Sequence, residues 1–169
     1  MNKFPIESFA DLLSANLEFV SAFEDEHLTG TASKGLAIVT CMDSRINPLA
    51  VVGVKSGDAK ILRNAGARVT DDVLRTLVLA SYLLAVDRVL VMPHTDCRMA
   101  SGDEESIHAS IESKHGIDTR SVEFKMVTDQ RSALAADVAS IRAYSILPKK
   151  LVVAGAIFDV HTGKLEPVD

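Results

Sequence analysis

Three short apolar runs, spaced along the chain between stretches with helical periodicity, constrain this fold more than any other feature. Leu36-Ala37-Ile38-Val39-Thr40-Cys41, Arg88 to Met92 and Leu151 to Val160 lack the regular polar interruptions of a half-wet strand. A strand of that kind has to be buried on both faces, as it is in a parallel sheet covered by helices. Ala59 to Leu62 predicts a further strand. Thr70 or Asp71 can cap a helix running to about Ala85, with acidic residues in its positively polarised first turn. Ser101 and Glu104 have the spacing of a capping box for a helix closing at Lys114, His115 and Gly116. Leu134, Val138 and Ile141 mark a last helix before Pro148. Val122 to Val127 is expected as an additional strand, weakened by Lys125, and His161 to Lys164 as a turn. At the N-terminus, Phe9, Leu12, Leu13, Leu17, Val20 and Phe23 recur at helical spacing behind Ser8 as a cap. The expected class is α/β: one domain with a mostly parallel central sheet flanked by helices.

The length of 169 residues suits one such domain and its core. With 47% apolar and 24% charged residues, the chain has the balance of a globular protein and not of a disordered one. The net charge of −5, with both signs interspersed, argues against a nucleic-acid partner, which needs clustered Lys and Arg. The opening residues lack the apolar core and cleavage site of a secretory signal. No run reaches the ~18–20 apolar residues that span a bilayer. The greasiest, Val73 to Val86, is broken by Arg75, Thr76 and Ser81. A cytoplasmic protein with no membrane partner is expected. There two cysteines do not make a disulfide framework, so they need another explanation.

Both cysteines and one histidine fall in two short motifs, Cys41-Met42-Asp43-Ser44-Arg45 and His94-Thr95-Asp96-Cys97. Each follows directly on an expected buried strand, and the carboxyl ends of parallel strands line the ligand crevice of such a sheet. Two thiolates and an imidazole form a recognised zinc set with the fourth position open. A structural site would use a fourth Cys or His, and there is no third cysteine. Cys41, His94 and Cys97 are therefore expected to hold a catalytic zinc. A redox role fits less well, because the cysteines are far apart and do not form a C-x-x-C pair. Asp43, two residues from a ligand, can reach the metal or a water on it, and Arg45 can grip that carboxylate and hold it off. The plainer alternative makes Asp43 a turn cap and Arg45 a surface residue.

The two motifs, with Arg63-Asn64-Ala65-Gly66 between them, resemble β-class carbonic anhydrases in order and spacing, and most closely the small, compact subgroup. The resemblance is strong from about Leu36 to Cys97 and weaker to the final Phe158-to-Leu165 segment. It implies a single domain over residues 1–169, with residues 1–30 as an N-terminal helical arm that packs on a partner subunit. It also implies dimers or multiples of dimers, and reversible hydration of carbon dioxide to bicarbonate by a zinc-bound hydroxide. Cys41, His94 and Cys97 map onto the zinc ligands, and Asp43 with Arg45 onto the catalytic dyad. In some members the Asp swings onto zinc as a fourth ligand in a closed state. Where the family commonly has Gly after the second cysteine, this chain has Arg98, which is expected to form a surface pair with Asp103 or Glu104.

Three other readings share parts of this pattern. Carbon disulfide or carbonyl sulfide could be hydrolysed on the same zinc site, since both are linear and apolar like carbon dioxide. A non-enzymatic zinc domain would keep Asp43 permanently on the metal. A metal-free flavodoxin-like binding module lacks a phosphate loop here, as Gly53, Gly57 and Gly66 make no nucleotide fingerprint. His108 and His115, on one expected helix, read as solvated surface residues in preference to a proton shuttle; His27 and His161 read as incidental.

Overall fold

The computed structural model of the chain describes residues 4–168. Residues 1–3 and 169, which the expected domain boundaries include, lie outside the described residues. A sheet of five strands forms the centre, β1 (Leu36–Cys41), β2 (Ala59–Asn64), β3 (Arg88–Met92), β4 (Val152–Phe158) and β5 (Leu165–Val168). Their spatial order is β2-β1-β3-β4-β5. The first four run parallel, and β5 returns antiparallel to β4. β1 therefore has β2 on one side and β3 on the other, which makes the carboxyl end of the β1–β3 pair the switch point of the sheet.

The inner strands bury both faces because successive residues point to opposite sides. Ala37 and Val39 of β1, with Val89 and Val91 of β3, join one core, while Ile38, Cys41 and Met92 join the other. The first core is covered by α3 (Asp71–Leu83) through Val73, Leu77 and Ala80, and by α5 (Gln130–Ala143) through Leu134, Val138 and Ile141. Thr70 caps α3 by accepting from the Val73 amide, and Ala85, at φ +62°, turns the chain out of the helix. On the opposite face lie the one-turn helix α2 (Pro48–Val51) and the loops bearing the two motifs. Arg68 and Asp137 form a largely buried ion pair tying the loop before α3 to α5, with Nε–Oδ2 at 2.8 Å.

Helix α1 (Ala10–Ser21) forms as its periodicity predicts, but it buries no residue and lies away from the core. Phe9, not Ser8, occupies its N-cap position, and no side chain caps it. Several further expectations are corrected. Helix α4 (Glu104–His115) is capped by Asp103, whose Oδ1 accepts from the Ser106 amide. Ser101 instead bonds the carbonyl of Arg98, and Glu104 reaches across to the amides of Phe124 and Met126. Those bonds, with Lys125 at φ +58°, explain why Val122 to Val127 is not a strand: the Phe124 and Met126 amides go to a side chain, and those of Val122 and Val127 to the carbonyls of Thr119 and Met99, not to a ladder. The final apolar run is shorter than expected because Asp159 leaves the sheet to accept from the His161 and Thr162 amides and form the turn. His108 is buried, with Nδ1 2.8 Å from Thr119 Oγ1 and its ring against Phe124, so it is not a solvated residue.

Candidate metal centre

Parallel register brings the two motifs together. Thr40 of β1 pairs with Met92 of β3, so Cys41 ends β1 beside the exit of β3 toward His94. Two anchors fix the exit from β3. His94 makes an isolated bridge to Phe158, and its carbonyl accepts from Gln130 Nε2 at 2.7 Å. The ligand atoms of Cys41, His94 and Cys97 then lie within 4.8 Å of one another, and all three residues are buried. The sulfurs are 3.9 Å apart and both cysteines are free, well beyond the ~2.05 Å of a disulfide.

His94 shows the polarity of this space. Its Nδ1 lies 2.8 Å from the Thr95 carbonyl oxygen, which can only accept, so Nδ1 carries the proton. In the neutral ring Nε2 is then a bare lone pair. It is buried and has no hydrogen-bond partner. A buried polar atom without a partner is costly, and here it faces two sulfurs. Burial alone would lower the pKa of this imidazole, but the neighbouring Cys41 thiolate outweighs it and raises the value. The thiols share one proton unequally. Cys41 is pulled down to about 3, chiefly by the hydrogen bond from Cys97 and against its own burial. Cys97 is pushed well up by that same bond to Cys41 and by burial. A divalent cation would satisfy both sulfurs and the orphaned nitrogen at once. The Cys2His donor set is one that zinc takes, leaving a fourth position.

Gly66 supports Cys41 from the side. Its amide donates to Cys41 Sγ at 3.4 Å. Its φ of +79° is a left-handed value that glycine adopts freely, and a Cβ there would come 3.0 Å from that of Met99.

Asp43 and Arg45 stand beside the three donors. Arg45 Nε and Nη2 donate to the two oxygens of Asp43 at 3.0 and 2.8 Å, and its amide donates to Oδ1 at 2.9 Å. These bonds hold the Asp43 carboxyl well below the usual range. Asp43 Oδ2 is 3.7 Å from His94 Nε2. The sequence-expected residues Cys41, Asp43, Arg45, His94 and Cys97 are thus brought together.

Arg63 and Asp96 are additions to that set. Arg63 donates to three carbonyls of the Asp43 loop, those of Cys41, Ile46 and Asp43, at 2.9, 3.2 and 2.6 Å. An Arg at the end of an apolar strand was the available signal, since its charge has no place in the ladder itself. Arg98 does not pair with Asp103 or Glu104; it bonds Ser101 Oγ at 3.4 Å. The left-handed residue of this turn is Asp96, at φ +54°, so Arg98 needs no glycine-like backbone.

The chain also matches known proteins in sequence and in fold. The family model described as carbonic anhydrase matches residues 36–165. The β-carbonic anhydrase 1 of Mycobacterium tuberculosis is 36% identical over 161 residues, covering 94% of this chain and 96% of that protein. A carbon disulfide hydrolase of Acidithiobacillus thiooxidans is 28% identical over 155 residues, covering 80% of this chain and 77% of its own. The crystal structure of a carbonic anhydrase from Streptococcus mutans superposes with a TM-score of 0.90 at 33% identity, over all of both chains. By its sequence, its sheet and the residues gathered at the switch point, the chain belongs to the β class of the carbonic anhydrase family.

Proposed function

We propose that this protein catalyses the reversible hydration of carbon dioxide to bicarbonate and a proton, with zinc held by Cys41, His94 and Cys97. The observation that carries the reading is the buried, unpartnered Nε2 of His94 converging on two free cysteine sulfurs. Zinc, when bound, supplies a Lewis acid that lowers the pKa of water at the open fourth position. His94 and the two cysteines anchor the ion, and the Thr95 carbonyl fixes the imidazole tautomer that can do so. Asp43, kept ionised by Arg45, is poised to accept a hydrogen bond from a water and so orient the oxygen lone pair toward carbon dioxide. Arg45 keeps that carboxylate from filling the fourth position itself, which a permanently closed zinc domain would require. Elemental analysis and a carbon dioxide hydration assay test the reading together. One zinc per chain with activity that rises with pH is expected; stoichiometric zinc without hydration at any pH would overturn it.

The similarity to a carbon disulfide hydrolase supports a second reading of the substrate. Assaying carbon disulfide and carbonyl sulfide beside carbon dioxide separates the two.

The proposed assembly is a homodimer or a multiple of dimers, with residues 1–30 as an arm on the partner. The support is apolar surface left without cover: Phe9, Leu12, Leu13, Leu17, Val20 and Phe23 around α1, and Leu79 and Leu83 on α3. Exposed apolar surface of this extent is characteristic of interaction sites. Light scattering at micromolar concentration should find no monomer. Among the described residues no helix is long and apolar enough to cross a membrane, and a cytoplasmic location remains the proposed one.

A further inference from the structure

Arg45 is shared between two carboxylates. Nη1 donates to Asp96 Oδ2 at 2.7 Å, and Nη2 also reaches the Asp96 backbone carbonyl at 3.0 Å. Asp96 stands between His94 and Cys97, so one guanidinium ties the loop that follows β1 to the loop that follows β3. All three candidate metal ligands lie in or at the ends of those loops. His161 Nε2 lies 3.9 Å from the same oxygen with its side chain 69% exposed, so Arg45 is the principal partner.

The backbone gives a second, independent observation. Asp96 has φ +54°, in the left-handed region where glycine carries no strain. Ala67 and Ala85 take φ +60° and +62°, so this chain also places uncharged residues in that region. The turn itself therefore does not call for a carboxylate. What the carboxylate adds is the bond to Nη1.

We infer that Asp96 is a positioning residue that anchors the far side of Arg45 and thereby holds Asp43 away from the three-donor space. The inference rests on the roles proposed above for Asp43 and Arg45. The physical reason is the exposure of the pair. The Arg45 side chain is 42% exposed, and a single carboxylate–guanidinium contact in that setting is weakened by solvent and by side-chain freedom. A second carboxylate on Nη1 removes the freedom of the guanidinium to pivot, so its Nε and Nη2 stay aligned on Asp43. Without the Asp96 carboxylate, the guanidinium keeps only the backbone carbonyl of residue 96 on the second loop, and Nη1 loses its partner. Asp43 Oδ2 then has a short path toward His94 Nε2, already 3.7 Å away.

Asp96→Asn and Asp96→Gly test this, since both residues accept the left-handed backbone. Asn keeps an uncharged side-chain acceptor; Gly keeps only the backbone carbonyl. Both variants should retain zinc and melt close to wild type. In the metal-free protein, hydrogen exchange at Arg45 Nε, followed by NMR, should speed up about 10-fold in Asp96→Gly and less in Asp96→Asn. In the zinc-loaded protein, kcat/KM at neutral pH should fall roughly 10-fold and roughly 3-fold respectively, with the rising limb of the pH profile moved to higher pH. Wild-type exchange and a wild-type pH profile in Asp96→Gly would overturn the inference. Loss of zinc or of folding in both variants would overturn it too, by making Asp96 structural. If wild type has no hydration activity, the functional reading fails, and the Arg45 exchange rates alone decide the role of Asp96.

Discussion

Oδ2 of Asp43 and Nε2 of His94 lie 3.7 Å apart without a hydrogen bond between them, and it is Arg45 that holds the carboxylate at that distance. The separation is small enough that one side-chain rotation of Asp43 would bring an oxygen among the three donors. On the proposed reading, it is Arg45 that keeps the fourth position open. Arg45→Ala should keep its zinc yet lose hydration activity by about 100-fold or more, the scale on which one preorganised hydrogen-bonding group contributes. Asp43→Ala should also keep zinc and lose activity, but X-ray absorption should show an added carboxylate ligand only in Arg45→Ala. Full activity of Arg45→Ala at neutral pH would remove the gate from the mechanism.

The unpartnered nitrogen of His94 predicts a thermodynamic link between metal and fold. His94→Ala and Cys41→Ser should both lose stoichiometric zinc by elemental analysis. Because the energy of binding metal is also folding energy, a chelator should lower the Tm of wild type and leave that of His94→Ala unchanged. A wild-type Tm indifferent to chelation would contradict this.

The Arg68–Asp137 pair lines one cavity with Gly66, Cys97 and Gln130 and should act first on stability. Removing one partner strands a buried charge, so Asp137→Ala should cost about 3–5 kcal/mol in denaturant unfolding. Replacing both by apolar residues, Arg68→Met with Asp137→Leu, should recover most of that loss. A double variant as unstable as the sum of the singles would show that the pair is not the relevant unit.

Glu104 should give stability an acid limb. Its carboxylate accepts from the Phe124 amide and, at 3.2 Å, from the Met126 amide, and these bonds, the Phe124 one foremost, lower its pKa. The folded value is below the unfolded one, so the stabilisation is complete above the unfolded pKa of ~4.3 and disappears as pH falls through the folded value. Glu104→Gln, which has no such titration, should therefore melt below wild type at pH 7, with the gap closing as the solution is acidified. A gap that stays constant down to strong acid would disprove the link.

The sequence was most readable where one principle decided the outcome. β1 and β3 are buried on both faces, so their continuous apolar runs announced a parallel sheet, and the motifs after them followed as crevice residues. It was least readable where a polar side chain competes with the backbone. β2 extends to Asn64, past the apolar end at Leu62, because Arg63 turns its guanidinium onto loop carbonyls. Glu104 has the spacing of a capping box, yet it satisfies amides some twenty residues away. β5 was not expected: Leu165-Glu166-Pro167-Val168 has a proline and a charge, which an edge strand tolerates and an inner strand does not. In α1 the periodicity correctly marked a helix, but a helical stripe does not reveal whether its apolar side is covered by its own domain. Asp96 carried no local signal of its own, since its partner Arg45 is 51 residues away.

The parallel pairing of β1 with β3 also bears on the order of events during folding. Cys41 and Cys97 are 56 residues apart, and they become neighbours only when the α3 crossover has closed and β3 has docked. Such non-local closures come late and slowly, because the entropy of the loop is lost before the contacts form. A chain still lacking β3 offers a metal a single thiol and no imidazole from the second motif. Capture of an ion by the proposed centre is then a step that waits on topology, and its rate during refolding should serve as a clock for the docking of the two central strands.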